Sequence, residues 1–386
     1  MYEMSYLYVM KKFTSQNKDA VMGTYHRYAG FFKFMLNPEA TDIVSLLAKE
    51  LANLSDKKLV VYHMPILAPF TMAVVINQPA SMKEFIAKEV EYTTRNVGDK
   101  FYPLLNLGWV QESGTHALMH RSIFSEFFVY ERVSKLKYRM VPILEKKMTL
   151  LIKQHKINNS KFTEINLKEF LEVIQLAWLS ETVFGCKEES ELDIDLTAPD
   201  CQGIKDCDFG HLNLQGLATV QLPQLVMAFM MTCFEADKDI PDILCSKLLS
   251  KFGLTTKWAK HILVKKVLDR KIMSVYKQRY AKYVFDAGKQ DNSENVIDIM
   301  VHHNKKCLAE GRTQELLKDD EIIGDCMVFF LAGLDTSLQA SVSCILHSTK
   351  SHPRWLEKIK AEGVESLDAI MNNKSLDLVM KETLRA

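Results

Sequence analysis

Glycine and proline are scarce in this sequence, 15 and 10 of 386 residues, while helix-forming residues dominate. That balance excludes a turn-rich, many-stranded composition and makes an all-α or mostly α fold the expectation. An excess of one charge sign is missing too. The formal net charge is +1, so no global basic field argues for a nucleic-acid partner. The eight cysteines, Cys186, Cys201, Cys207, Cys233, Cys245, Cys307, Cys326 and Cys344, have no paired spacing. In a chain this large that excludes a disulfide framework and predicts free thiols in a reducing compartment. Between Met1 and Phe34 the apolar residues are broken by Lys11, Lys12, Lys18, His26, Arg27 and Lys33. No window there approaches the roughly 18 uncharged residues of a membrane span, and there is no signal-peptide pattern. As written, the chain reads as soluble or peripheral. There is also no fixed-period repeat and no low-complexity tract.

What is present is apolar material, 47% of the residues, enough for a large core and too much for a disordered chain. Residues 41–54 carry Ile43, Leu46, Leu47, Leu51 and Leu54 at helical spacing. Leu59 to Met64 and Thr71 to Ile76 read as two strands of a hairpin, followed by a helix over 81–95. From Thr115 onward the pattern is nearly all helical. Residues 163–184 are periodic through Ile165, Leu167, Phe170, Leu171, Ile174, Ala177, Trp178 and Phe184, with Gly185 as the stop. Cys186 to Gln221 reads as a long irregular connection, 255–284 as a basic amphipathic helix, and 295–309 as a short one.

Residues 319–350 stand apart. Asp319, Asp320 and Glu321 place acid at a helix start, where the macrodipole favours it. Ile322, Ile323 and Cys326 to Leu331 are then apolar on almost every side, which predicts a core helix buried all round and too short and interrupted to be a membrane span. Inside it lies Ala332-Gly333-Leu334-Asp335-Thr336-Ser337. Glycine costs about 1 kcal/mol in a helix interior, and a core acid costs more unless partnered. Small residues let a planar group approach the backbone. A threonine hydroxyl can bond back to the preceding turn and open the helix there. An acid beside an alcohol is suited to passing protons to something bound against the helix.

This string resembles the oxygen-activation motif of the cytochrome P450 family, the haem-thiolate monooxygenases. Other residues follow in the family's order. His352-Pro353 resembles the family's step between two helices, and Trp355 to Glu362 the amphipathic helix after it. Glu382 and Arg385 lie at i and i+3 and so share a helix face. A Glu-x-x-Arg is expected about once by chance in a chain of this size, but inside Lys-Glu-Thr-Leu-Arg it is similar to the family's structural ion pair. Gly114 to Arg121 resembles the family's Gly-x-x-Trp-x-x-x-Arg, with Ala117 in the Trp position and Phe128 matching a family Phe.

The resemblance implies a mostly α P450 fold with a small N-terminal sheet, over a single domain spanning 1–386. It implies haem as cofactor, O2 and an apolar molecule as substrates, and electrons from NADPH through a partner reductase. Asp335 and Thr336 would deliver protons, Ala332 and Gly333 would wall the oxygen pocket, and Arg121 would hold a haem propionate. The family's location would be the endoplasmic reticulum membrane, given an N-terminal anchor. One element has no match. The family ligates iron through a cysteine in Phe-x-x-Gly-x-Arg-x-Cys-x-Gly, and no cysteine here sits in such a loop. No metal ligand is therefore assigned, the fold is expected to be incomplete at its C-terminus, and the chain is expected to be inactive on its own. The other reading is a catalytically dead helical remnant or partner-binding protein without haem. His302, His303 and Cys307 read as a solvated helix rather than metal ligands, and Phe329 and Phe330 as either pocket or core.

Overall fold

The structure, a computed structural model, describes residues 11–12, 14–16, 20–22, 51–54, 58–63, 72–87, 108–109, 114–125, 127–157, 165–186, 189–201, 203–207, 209, 212–235, 256–286, 294–351 and 354–385. The chain divides into two compact units, Met1–Thr94 and Arg95–Ala386.

In the first unit, strands Ala20–Met22 (β1), Leu59–His63 (β2) and Met72–Ile76 (β3) form one sheet in the order β1-β2-β3. The expected hairpin is there. β2 and β3 are antiparallel, with Val60 opposite Val75 and Val61 opposite Val74, the β-branched pairing that suits a pleated surface. β1 adds a parallel strand, Ala20 opposite Leu59, too short for any alternation to announce it. Asn77 closes this sheet. Its N–H donates to the Lys58 carbonyl at 2.8 Å, and its side-chain amide donates to the carbonyls of Leu51 and Leu54. Helix Pro79–Ala87 (α1) follows, with proline at the first position, where no amide is needed. Of the helix expected over 41–54, residues 51–53 are helical. The rest of it, Met64, Thr71 and residues 88–95 lie outside the described residues.

The second unit is helical: Gly114–Ser125 (α2), Tyr130–Ile157 (α3), Leu167–Phe184 (α4), Leu222–Glu235 (α5), Thr256–Lys282 (α6), Val296–Ala309 (α7), Asp319–Leu346 (α8), Arg354–Ala361 (α9), Leu367–Met371 (α10) and Lys374–Arg385 (α11). α4 ends as its sequence predicts. Gly185 takes φ 67° and its N–H returns to the Glu181 carbonyl. Any side chain there would also collide with Asn295. The stretch expected to be a loose connection after Gly185 is instead well packed. Asp193–Asp195 and Thr219–Gln221 pair antiparallel (β4, β5), and Leu192, Ile194, Cys201, Ile204, Phe209 and Leu214 enter the core. Their irregular spacing, set by short 3-10 turns, follows neither the helix period nor the strand period.

α8 is the central element. It packs chiefly on α4 and also on α6, α7 and α11. Phe330 is fully buried, with its ring 5.6 Å from that of Phe184. Residues 321–328 are all buried, but Ala332, Asp335, Thr336 and Gln339 are exposed. The expectation of a helix buried all round thus holds only for its first half; beyond Leu331 the pattern turns amphipathic. The length reading also changes. The segment Asp319–Thr349 is long and apolar enough to cross a membrane by length and composition. Its first half, which carries the buried carboxylates Glu321 and Asp325, lies in the core of this unit. It ends in a π turn at His347–Ser351, while His352 and Pro353 lie outside the described residues.

Candidate functional site on the central helix

Ala332, Asp335 and Thr336 stand at i, i+3 and i+4 on α8 and share its exposed side. The Thr336 hydroxyl donates to the Ala332 carbonyl at 2.6 Å. This is the back-bond expected of that threonine, yet the helix does not open there: α8 runs unbroken from Asp319 to Leu346. The wide turn comes after its end, where the hydroxyls of Ser348 and Thr349 bond back to Cys344 and Ile345 at 2.7 Å. Gly333 points elsewhere. A Cβ at Gly333 would meet Leu179 Cδ2 at 2.7 Å, so its missing side chain admits α4. One residue along a helix turns the side chain by roughly 100°, which separates Gly333 from the open side.

Arg121 is exposed on α2 and makes no ion pair among the described residues, whereas Ala117, one turn earlier, is buried. Phe128 stacks on Phe329, centroids 5.8 Å apart, and Phe329 also meets Phe124 edge-on at 4.8 Å. Of the Phe329-Phe330 step, then, Phe330 is core and Phe329 is half-buried under an aromatic cluster. On α11, Arg385 pairs with both oxygens of Glu382, Nε donating at 2.9 Å, and both residues are exposed.

A second group of residues went unnoticed in the sequence. His116 and His120 are one turn apart on α2, and Glu321 and Asp325 are one turn apart on α8. The two helices match turn for turn. His116 Nε2 lies 3.2 Å from Glu321 Oε1, and His120 Nδ1 lies 2.8 Å from Asp325 Oδ2. Each carboxylate uses its other oxygen on a backbone amide: Glu321 Oε2 accepts the N–H of Lys318 at 2.7 Å, and Asp325 Oδ1 accepts that of Trp109 at 2.8 Å. Burial pushes the Asp325 carboxyl up, against the hydrogen bonds from His120 and Trp109 that pull it down. The signal was available. Asp325 is an acid inside an apolar run, and such a group requires a partner.

Beside this group lies a cavity of about 650 Å³ whose lining includes His116, Met119, His302, His303, Lys306 and Arg312. His302, His303 and Cys307 are not the solvated helix face that the sequence suggests. His302 Nδ1 meets the Tyr283 hydroxyl at 2.6 Å, His303 Nε2 meets the Glu315 carbonyl at 2.9 Å, and Cys307 is fully buried. Burial holds His303 below the ordinary imidazole range, despite its bond to the Glu315 carbonyl.

Haem, implied by the sequence resemblance, finds part of a site. The small Ala332 on an open helix side, an adjacent acid and alcohol, and an exposed guanidinium at Arg121 fit one face and the propionates of such a group. The thiolate side finds no match among Cys186, Cys201, Cys307 and Cys326. Burial pushes the thiols of Cys201, Cys307 and Cys326 up, and that of Cys186 to about 11. Such thiols stay protonated and are poor ligands.

A family model described as Cytochrome P450 matches residues 62–386. Among curated proteins, Cytochrome P450 3A15 of Cavia porcellus is 26% identical over 266 residues, 65% of this chain and 45% of that protein. Cytochrome P450 CYP72A219 of Panax ginseng is 22% identical over 329 residues, 83% of this chain and 55% of that one. The chain spans about half the length of these relatives. Among solved structures, retinoic acid bound cyanobacterial CYP120A1 aligns with a TM-score of 0.60 at 14% identity, covering 94% of this chain and 68% of that one. The cytochrome P450DA heme domain aligns with a TM-score of 0.60 at 13% identity, covering 95% and 70%.

Proposed function

Because the chain belongs to the cytochrome P450 family, we propose that it serves a haem-dependent monooxygenase, placing one oxygen atom of O2 into an apolar substrate with electrons from NADPH through a reductase. The observation that carries this reading is the open side of α8, where Ala332, Asp335 and Thr336 stand exposed just after the buried first half of the helix. Haem, when bound, supplies the iron centre at which O2 is reduced. The protein residues do the rest. Ala332 presents only a methyl group and leaves the helix surface flat. The hydrogen of the Thr336 hydroxyl is held by the Ala332 carbonyl, so the Oγ1 lone pairs face outward and accept a hydrogen bond from whatever lies against the helix. Asp335, exposed beside it, exchanges protons with water and passes them along this side. Gly333 acts by admitting Leu179, setting the distance between α8 and α4.

Arg121 offers a charge-assisted bond to a propionate, and Glu382 with Arg385 forms a structural pair. The apolar substrate, the reductase partner and a location at the endoplasmic reticulum membrane follow from the same reading. The test uses the full gene product together with residues 1–386. The full product, reduced and treated with carbon monoxide, is expected to show the red-shifted Soret band of thiolate-ligated haem. The 386-residue polypeptide, which has no cysteine in the ligand loop, is expected to lack it. Thr336→Ala in the full product should keep that band, fold normally and lose at least about tenfold in product per electron consumed. A full product with no such band, or a Thr336→Ala variant with unchanged coupling, would overturn the proposal.

A further inference from the structure

We propose that His116, His120 and Glu321 bind one divalent transition-metal ion, zinc by preference, between α2 and the central helix. This site is separate from the open side of α8 and does not depend on haem. One donor atom from each of the three residues lies within 4.8 Å of the others. His116 and His120 stand at i and i+4, with ring centroids 5.1 Å apart, the spacing that puts two imidazoles on one ion. The 3.2 Å between His116 Nε2 and Glu321 Oε1 is within about 0.1 Å of the ligand separation in a tetrahedral site. Two ligands each about 2.0–2.2 Å from zinc are about 3.3–3.6 Å apart.

The surroundings orient these donors. Glu321 is held by the Lys318 amide through Oε2, which turns Oε1 toward His116. Asp325 is held by the Trp109 amide through Oδ1, and its Oδ2 takes His120 Nδ1. A carboxylate on Nδ1 fixes the ring so that Nε2 is the coordinating atom, the arrangement that supports metal-bound histidine in general. Asp325 is thus a positioning residue and not a ligand. Two imidazoles and one carboxylate select zinc and its neighbours in the transition series over magnesium or calcium, which prefer all-oxygen shells. His116 is 40% exposed and lines the 650 Å³ cavity, which gives the ion a route in and leaves a fourth position for water.

The experiment is a calorimetric titration of the chelator-treated 386-residue chain with Zn²⁺, followed by X-ray absorption at the zinc edge. Bound haem would disturb neither reading. One equivalent should bind, with two imidazole nitrogens and oxygen donors around zinc, and added zinc should raise the unfolding temperature. His116→Ala and Glu321→Gln should each weaken binding at least tenfold. Glu321→Gln retains an oxygen for the Lys318 amide, and His116 sits at a cavity wall, so both variants should give the circular dichroism of the parent chain. Asp325→Asn should weaken binding by about 10–100-fold. The proposal falls if the parent chain shows no saturable binding. It also falls if both ligand variants bind zinc as the parent does, since the ion would then be held elsewhere.

Discussion

His120 and Asp325 face each other across two helices, 2.8 Å apart, with neither side chain exposed to solvent. Together with the Trp109 amide on the other carboxylate oxygen, the pair accounts for an ionisable residue inside the buried first half of α8. Removing one member leaves the other buried with its partner gone. Asp325→Leu should therefore destabilise the second unit by about 3–5 kcal/mol. Adding His120→Leu removes the buried imidazole that faced Asp325, so the double variant should be less destabilised than Asp325→Leu alone. Denaturant unfolding of the four species measures this, and additive losses would show that the pair does not interact.

Two glycines should respond differently to alanine. A Cβ at Gly108 would sit 2.7 Å from the backbone carbon and oxygen of Gly324, and main chain cannot rotate away. Gly108→Ala should cost about 1–3 kcal/mol. At Gly333 the obstacle is the tip of Leu179, and alanine gains about 1 kcal/mol of helix propensity. Gly333→Ala should therefore stay within about 1 kcal/mol of the parent. Thermal melts of the two variants should separate clearly, and a larger loss at Gly333 would contradict this packing.

His303 predicts a pH dependence of stability. Burial lowers its folded pKa from the ordinary 6.5, opposed by the hydrogen bond to the Glu315 carbonyl and reinforced by Arg312. The unfolded chain therefore binds more protons in the window below 6.5, and stability rises with pH there. The contribution is present above 6.5 and is lost as pH falls through the folded value. His303→Gln, which keeps a side-chain donor, should flatten the slope of unfolding free energy against pH below 6.5. Parallel slopes for parent and variant would rule His303 out as the cause.

Much of this architecture is legible in the residues. The unbroken apolar run from Cys326 to Leu331 marks the core helix, Gly185 marks a helix end, and the valines of β2 and β3 mark a hairpin. These signals are local. The His120–Asp325 pair is not, because its members are 205 residues apart and only the tertiary fold brings α2 beside the first half of α8. The same holds for Gly333, whose role depends on where Leu179 lies. The buried stretch after Gly185 was hidden for another reason: its apolar residues follow 3-10 turns and so obey neither the helix period nor the strand period.

The 28 residues of α8 extend about 42 Å, and their two halves live in different surroundings. Amides from Ile322 to Phe330 lie under a core of aromatic and aliphatic side chains, whereas the later turns carry Asp335, Thr336, Gln339, Ile345 and Leu346 at the surface. Deuterium uptake should therefore divide within a single helix. The first half should exchange only when the whole unit unfolds, and the second half should exchange through local fraying at rates that any molecule covering its open side would slow.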